Sequence, residues 1–291
     1  MTVFVKTSRN RQRIKHVIGL LLTPIVLYAL LRLFEYVQVY QPRTELITDP
    51  STIHSAPEDI FFTSGNGYQL NGWFFPSIGH SPWKEWVILI SHGNGGNISY
   101  RLSLYELWIQ AGFNVLAYDY KGYGLSSGRP SEQGTYEDAT NAYEWLIKRG
   151  FKSNNVIALG ESLGGAVATE LATRRPLAGL ILQSTFTGIK DLGKELFPWL
   201  PVETIGSIDY ATLRKLPDIN LPLLILHSKE DTMIPFHHAE SNFRASQEPK
   251  LLRELIGNHN DGLAVSADRY RSHITEFKEL LITKKEPIDL E

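Results

Sequence analysis

The sequence predicts an α/β fold, in which a doubly wound, mostly parallel sheet carries helices on both faces. A short inserted lid and an N-terminal transmembrane helix complete the prediction. Short, nearly continuous apolar runs, typical of buried parallel strands, alternate with amphipathic helical stretches. A Gly-x-Ser-x-Gly motif lies between one such run and one such stretch. The chain itself opens with a basic segment followed by a long apolar one.

Composition sets the class of protein before any motif is considered. The chain has 291 residues, of which 43% are hydrophobic and 21% are charged, and it has no cysteine. These proportions are ordinary for a globular protein and exclude a disordered, collagenous or disulfide-stapled chain. The formal net charge of -2 divides unevenly, because residues 1–40 are basic and the rest is therefore acidic. An acidic body argues against a nucleic-acid partner.

The first forty residues predict a membrane anchor. Residues 1–16 form a basic tail, and residues 17–39 form an apolar stretch long enough to span a bilayer. A cleaved signal peptide is the main alternative, but residues 30–34 offer none of the small side chains that cleavage requires. A surface amphipathic helix is a second alternative. The positive-inside rule predicts a single-pass protein with a cytoplasmic N-terminus and its body on the far side, periplasmic or lumenal.

A proline-containing tether is predicted at residues 40–59, and one domain at 60–291. The domain opens with a hairpin that turns at Gly65, Asn66 and Gly67. Residues 186–221 interrupt the later alternation with aromatic residues and prolines, which predicts a lid. Strands are predicted at 86–91, 114–118, 156–159, 180–183, 223–227 and 250–256, and helices near 97–111, 131–149, 163–174 and 266–283.

The Gly-x-Ser-x-Gly motif occupies residues 160–164, with Ser162 at its centre. A strand is predicted before it and a helix after it, which is the context of a nucleophile elbow. The flanking glycines fit because a Cβ there would collide with the neighbouring strand or helix. Ser162 is therefore the predicted nucleophile, beside a helix N-terminus that favours developing negative charge. The alternative is a glycine-rich loop that contains a serine by chance.

A base and an orienting acid are expected after the serine, in the order Ser, Asp or Glu, His. His259 is the predicted base, because it lies in a loop between a strand and the last helix. From that loop an imidazole can reach across the sheet edge. The other downstream histidines fit less well: His227 ends a strand, His237 and His238 are adjacent at a helix start and expected to diverge, and His273 lies inside the last helix.

The predicted acid is Asp231, in the loop after the strand at 223–227. Its shorter carboxylate lies deeper in the turn than that of Glu230, which is the second candidate. Either carboxylate could instead cap the following helix or lie in solvent. An oxyanion hole in this arrangement uses the N–H after the nucleophile, here Leu163, and one from the first strand-to-helix loop. Asn94 is the predicted second donor, because the small residues around it allow close approach.

No cofactor or metal is predicted. Gly-x-Gly-x-x-Gly fails at 93–98, where Ile98 replaces the third glycine, and at 122–127, where Ser127 does. The sequence also contains neither a Walker A motif nor His-Glu-x-x-His.

Four motifs in order over residues 60–285 resemble the α/β-hydrolase superfamily, and within it the Bem46-like serine hydrolases. They are SHGNGGN at 91–97, YDYKGYG at 118–124, the elbow at 160–164 and GNHND at 257–261. The resemblance implies the α/β-hydrolase fold, an N-terminal membrane anchor in many relatives, and Ser162, Asp231 and His259 as nucleophile, acid and base. Ser228 departs from the family pattern, in which glycine is usual.

The expected function is that of a membrane-anchored serine hydrolase acting on a carboxylic ester or thioester of an acyl chain, from a small molecule or a lipid. A peptidase or aminopeptidase is the second hypothesis, since an acid such as Glu161 could pair with a free peptide amine. A non-catalytic binding protein of the same fold is the third. An aspartate nucleophile, as in a dehalogenase or epoxide hydrolase, is disfavoured because position 162 is serine.

Overall fold

The computed structural model describes residues 3–65 and 67–285, which form two units that meet between Gln41 and Pro42. The predicted turn residue Asn66 lies outside the described residues. The first unit is helix α1 (Val3–Val39), with Pro24 inside it. Its segment His16–Val39 has 24 residues and a mean hydropathy of 2.2. At about 1.5 Å per residue this segment is long enough to cross a bilayer.

The second unit is built on one eight-stranded sheet, whose strands run in the spatial order β8-β7-β6-β5-β3-β4-β2-β1. β2 pairs antiparallel with both of its neighbours, β1 and β4, and the remaining neighbours in the sheet pair in parallel. The strands are β1 (Glu58–Thr63), β2 (Gln69–Phe75), β3 (Val87–Ser91), β4 (Asn114–Tyr118), β5 (Val156–Glu161), β6 (Gly179–Gln183), β7 (Leu223–Ser228) and β8 (Lys250–Leu255). Gln41–Pro42 and Gly95–Gly96 are two-residue strands outside this sheet.

The strand order reverses at β3, which lies between β4 and β5. Ile88 of β3 faces Val115 on one side and Ile157 on the other. In open α/β sheets a ligand binds outside the carboxyl ends of the strands at such a reversal. The topology therefore points to the loops after β3 and β5.

Helices cover both faces of this sheet. They are α2 (Leu102–Gln110), α3 (Glu132–Lys148), α4 (Leu163–Arg174), α5 (Ile189–Leu196), α6 (Val202–Ile205), α7 (Thr212–Lys215), α8 (His237–Ala245), α9 (Gly262–Val265) and α10 (Ala267–Lys285). Short 3-10 turns occur at Pro50–Thr52, Ile98–Tyr100, Ser153–Asn155 and Leu216–Asp218. The predicted strands and long helices agree with these bounds to within a few residues.

The core depends on apolar residues at helical and strand spacing. One face of α10 buries Tyr270, Ile274 and Phe277, which pack in one cluster with Ile88 and Ile90 of β3. Alternate residues of the same strands point to the opposite face and are equally buried, so the sheet is covered on both sides. This double burial explains why the strands appear in the sequence as continuous apolar runs.

The insertion between β6 and β7 contains α5, α6 and α7. Phe186 and Tyr210 are buried there, whereas Leu196 and Trp199 are exposed, Trp199 by 74%. The large apolar residues of the predicted lid therefore divide into two groups. One group contributes to the core, and the other faces outward.

The segment predicted as a tether takes part in the fold. Asn97 Nδ2 donates to the carbonyls of Arg43 and Glu45, at 2.9 and 2.7 Å. The Ile47 N–H donates to Ser99 Oγ at 2.9 Å. Residues 43–47 therefore pair with the loop after β3, within the second unit.

Candidate active site

Ser162 lies in the turn between β5 and α4, and its backbone is strained. Its φ of 53° and ψ of -117° are rare for a residue with a side chain. The Ser162 N–H donates to the Gln183 carbonyl at 2.8 Å, which holds the turn against β6. This is the geometry expected of a nucleophile elbow. The hydroxyl is thereby presented at the carboxyl edge of the sheet.

His259 joins Ser162 to Asp231. Its Nε2 lies 3.2 Å from Ser162 Oγ, and its Nδ1 lies 2.6 Å from Asp231 Oδ2. A carboxylate only accepts, so Nδ1 carries the proton and neutral Nε2 is free to accept the serine proton. The side chains of Asp231 and His259 are 0% and 8% exposed, so bulk water screens this pair little. The structure thus brings together the three residues predicted from their order in the sequence.

Asp231 also closes its own loop. Its Oδ1 accepts the N–H groups of Met233 and Ile234, at 2.9 and 2.8 Å. Burial by itself raises the pKa of Asp231, but the hydrogen bonds from His259 and Ile234 lower it by more, so the net pKa lies below the ordinary value. The carboxylate is therefore kept ionised beside the imidazole. Both Oδ1 bonds lie within the turn, and no side chain caps the start of α8, so Asp231 does not cap the helix that follows it.

The second candidate acid, Glu230, points elsewhere. Its Oε2 accepts the Gly257 N–H at 3.0 Å, on the loop that carries His259. Asn258 Oδ1 adds a second link between the two loops by accepting the Thr232 N–H at 3.1 Å. Ser228 stands where glycine is usual in the family. Its Oγ accepts the Glu230 N–H at 3.0 Å, so the serine side chain is accommodated within this loop. Glu230 therefore fixes the separation of the two loops and does not contact the imidazole.

The loop after β3 is held by its carbonyls. The carbonyls of residues 92–97 accept, in order, from the Tyr120 hydroxyl (2.8 Å), His92 Nδ1 (2.7 Å), the Tyr123 hydroxyl (2.8 Å), Arg101 Nη2 (3.0 Å), the Arg43 N–H (3.2 Å) and Arg101 Nη1 (3.0 Å). The N–H groups of Asn94 and Leu163, by contrast, donate to no protein acceptor in the part of the chain that the structure describes. Both predicted oxyanion donors are thus available.

Arg101 is a site residue that the sequence analysis missed. Its Nε donates to Glu161 Oε2 at 2.8 Å, directly before the nucleophile. Burial by itself raises the pKa of Glu161, but the Arg101 guanidinium and the nearby imidazoles lower it by more, leaving the pKa below its ordinary value. The sequence signal was a lone arginine at the start of an apolar helix, which gives no indication of its partner. Glu161, suggested as a partner for a peptide amine, is already paired.

His237 and His238 do not diverge, contrary to the sequence-based expectation. Their rings stack at 4.5 Å between centroids, because both point at Glu195 of α5. The three side chains bring three potential metal-ligand atoms within 4.8 Å of one another. However, the Thr187 N–H donates to His238 Nδ1, which places the proton of a neutral ring on Nε2, the atom facing Glu195. His237 Nε2 hydrogen-bonds to Glu195 Oε1 at 3.0 Å and so links α8 to α5.

The remaining downstream histidines have structural partners. His227 Nε2 donates to the Ile234 carbonyl at 2.8 Å, under the Asp231 turn. His273 contacts Glu276 and the Glu254 carbonyl, on the side of α10 that faces β8. Neither imidazole contacts Ser162. Of the histidines after the nucleophile, His259 is the one that hydrogen-bonds to it.

Comparison with known proteins gives matches over most of the chain. Residues 83–208 match the family described as serine aminopeptidase, S33. An uncharacterized protein of Mycobacterium tuberculosis H37Rv is 36% identical over 227 residues, which cover 77% of this chain and 79% of that one. The lysophosphatidylserine lipase ABHD12 of Mus musculus is 34% identical over 189 residues, 58% of this chain and 47% of its own length.

The fold has a solved counterpart in the esterase Pf2001 of Pyrococcus furiosus. The two superpose with a TM-score of 0.69 at 20% identity, covering 84% of this chain and 98% of that one. At this identity the likeness concerns the fold alone. The sheet order, the strained serine turn and the relatives agree, and the chain belongs to the α/β-hydrolase superfamily.

Proposed function

We propose that this protein is a membrane-anchored serine hydrolase that cleaves a carboxylic ester or thioester of an acyl chain. Ser162, His259 and Asp231 form its catalytic triad. The observation that carries the proposal is the continuous hydrogen-bonded line from Ser162 Oγ through His259 to Asp231. A serine activated by an oriented imidazole attacks acyl carbonyls and needs no cofactor for that step.

The proposed reaction has two halves. His259 takes the proton of Ser162 as its oxygen attacks the acyl carbonyl, and Asp231 stabilises the imidazolium that forms. The N–H groups of Asn94 and Leu163 bind the oxyanion, each contributing about 3 kcal/mol to transition-state stabilisation. His259 then returns the proton to the leaving alcohol or thiol. Water activated by the same imidazole releases the acyl group from Ser162.

An acyl-chain substrate is supported by the relatives and by exposed apolar side chains of the insertion between β6 and β7. The lysophosphatidylserine lipase ABHD12 and the esterase Pf2001 are both named for ester hydrolysis. The insertion between β6 and β7 exposes Leu196 and Trp199, apolar side chains that suit contact with an acyl chain.

Amide hydrolysis is the second candidate, because the matched family is described as serine aminopeptidase. An aminopeptidase needs a free carboxylate for the substrate ammonium group. Glu161, the acid nearest the nucleophile in sequence, is paired with Arg101, which disfavours that role. A non-catalytic protein of the same fold would not need an ordered triad, so it is the third candidate.

The proposed organisation follows the sequence. Residues 1–16 are a cytoplasmic tail, residues 17–39 a single-pass anchor, and residues 40–59 link the anchor to the catalytic domain on the periplasmic or lumenal side. Residues 186–221 form the lid. The length and hydropathy of His16–Val39 support the anchor, and the basic tail supports the orientation.

The triad is tested by Ser162→Ala. We expect kcat on a soluble acyl ester to fall by roughly 10⁴-fold or more, and labelling by a fluorophosphonate probe to disappear. Ser103→Ala is the matched control, because Ser103 is an exposed serine on α2, and it should react like the wild type. Ester hydrolysis that survives Ser162→Ala unchanged would refute the assignment.

The substrate class is tested by comparing acyl esters of graded chain length with aminoacyl amides. We expect kcat/KM to rise with chain length, because each added methylene buried at the lid contributes about 0.8 kcal/mol. Faster cleavage of short aminoacyl amides would favour the peptidase instead. Failure of the wild type to react with the fluorophosphonate probe would favour the non-catalytic protein.

A further inference from the structure

The guanidinium of Arg101 contacts two parts of the site at once. Nη2 and Nη1 each donate at 3.0 Å, to the carbonyls of Gly95 and Asn97 in the loop after β3. Nε donates to Glu161 at the end of β5. The Arg101 side chain is 11% exposed, so these bonds form largely away from water. One planar cation therefore joins the loop of the predicted donor Asn94 to the strand that leads into Ser162.

The loop and the elbow approach each other closely at this point. A Cβ placed on Gly93 would lie 3.2 Å from Arg101 Nη2 and 3.5 Å from the Ser162 Cβ. The two proposed oxyanion donors, Asn94 and Leu163, directly follow these two close positions in the chain. Because the donors lie on different segments, their separation depends on what connects those segments.

We propose that Arg101, through its pair with Glu161, is a positioning residue that fixes the Asn94 donor relative to the nucleophile elbow. The inference rests on the proposed function, since it concerns the oxyanion hole of that same site. Arg101 acts through the carbonyls of Gly95 and Asn97, which follow Asn94 in the same loop. The peptide unit that carries the Asn94 N–H contains the Gly93 carbonyl, which accepts from His92 Nδ1, so Arg101 constrains that N–H through the loop residues that follow it.

The chemistry of the arginine explains why this residue type is suited to the task. Its planar fork can donate to two carbonyls and a carboxylate simultaneously, whereas a lysine ammonium is a single point that cannot span them. A buried ion pair is also weak support for stability, because desolvation of the two charges offsets their attraction. Specific geometry is therefore a better account of this pair than stability.

The pair also balances charge next to His259. Glu161 interacts electrostatically with the imidazoles of His259 and His92, and the Arg101 guanidinium supplies the opposite charge. Changes to the two partners therefore act on the imidazole with opposite signs. The groups that interact electrostatically with Glu161 or His259 include Asp231, His227, His92, Arg101, Tyr105 and Tyr270. Glu230 and Asp261 bond to the backbone of the loop that carries His259.

The test begins with Arg101→Lys in the full-length protein. The lysine keeps the charge and loses the fork, so we expect kcat on a soluble ester to fall by roughly 10²-fold, with KM changed less than threefold. Arg175→Lys is the matched control, because Arg175 also donates to a carboxylate and a backbone carbonyl but lies outside the site. That control should keep the wild-type kcat.

Two further variants give a readout that a purely structural role would not move. Glu161→Gln should shift the acidic limb of the kcat/KM profile to lower pH, because it removes the negative charge that favours imidazolium. Arg101→Met should shift the limb to higher pH, because it leaves Glu161 unbalanced. Fold integrity is checked by thermal unfolding of every variant.

The outcomes separate this inference from the proposed function. If the wild type does not react with the fluorophosphonate probe, the proposed function fails. If the wild type reacts and Arg101→Lys retains full kcat, the positioning role is wrong. If the loss in kcat of each variant matches its loss of folded protein, and the pH profiles show no opposite shifts, then Arg101 has only a structural role.

Discussion

At the residue scale, Asp231 illustrates how one side chain satisfies two demands. Oδ1 closes the turn after β7 by accepting two backbone N–H groups, and Oδ2 accepts the proton-bearing Nδ1 of His259. The turn therefore holds the carboxylate in place, and the carboxylate sets the tautomer of the imidazole. Glu230, one residue earlier, spans the same two loops through the Gly257 N–H.

Asp231→Asn should separate these two roles. The amide oxygen can still accept the backbone N–H groups, but the amide nitrogen would face Nδ1 and favour the wrong tautomer of His259. We expect kcat to fall by about 10⁴-fold, with little change in thermal stability. Glu230→Gln keeps an acceptor for Gly257 and is the control, with an expected loss in kcat of less than about tenfold. If Glu230→Gln caused the greater loss, Glu230 would be the acid.

At the scale of the element, the turn from β5 to α4 depends on close backbone contact. A Cβ on Gly160 would lie 2.1 Å from the Gly164 carbonyl oxygen, and a Cβ on Gly164 would lie 2.0 Å from the Ser91 carbonyl oxygen. Both contacted oxygens belong to the backbone, so relieving either clash would require the backbone itself to shift. The two glycines therefore let helix α4 begin directly against β3, which brings its N-terminus to the loop that carries Asn94.

Gly160→Ala should lower the free energy of unfolding by roughly 3 kcal/mol or more, because the added methyl cannot fit without shifting α4. The measurement is urea denaturation followed by circular dichroism. Gly65→Ala is the matched control, because a Cβ there meets nothing within 4 Å, and its midpoint should stay near that of the wild type. Equal midpoints for the two variants would show that the elbow tolerates side chains.

The elements also mark where sequence patterns carry information. Burial on both faces requires continuous apolar runs, so the positions of β3 to β7 could be predicted from those runs in the sequence. The order of serine, acid and histidine along the chain then selected Ser162, Asp231 and His259. Arg101 could not be found in this way, because its partners are a carboxylate sixty residues away in sequence and two loop carbonyls.

At the scale of the whole molecule, the near-neutral net charge describes neither unit. The basic tail and apolar helix belong to the first unit, and the acidic remainder belongs to the second. The second unit contains the whole sheet, the core and the three proposed catalytic residues. We therefore expect it to fold without the first.

A chain that lacks residues 1–41 should remain in the aqueous phase and keep kcat on a soluble ester within about threefold of the full-length value. The full-length protein should stay with the membrane after alkaline carbonate extraction, since a predominantly apolar segment of 24 residues holds it there. Its amino terminus should be intact by mass spectrometry. A shortened mature chain would identify a cleaved signal peptide.

The sequence by itself determined the fold class, the strand positions and the three proposed catalytic residues. These features depend on hydrophobic periodicity, on local turn chemistry and on the order of residues along the chain. All three can be read directly from the sequence. Only the tertiary structure decided the partners of Glu161, Glu230, His237 and His238, and the pairing of residues 43–47 with the loop after β3. Those contacts join segments distant in the chain, and a side chain's nearest polar atom is set by packing, which no local pattern records.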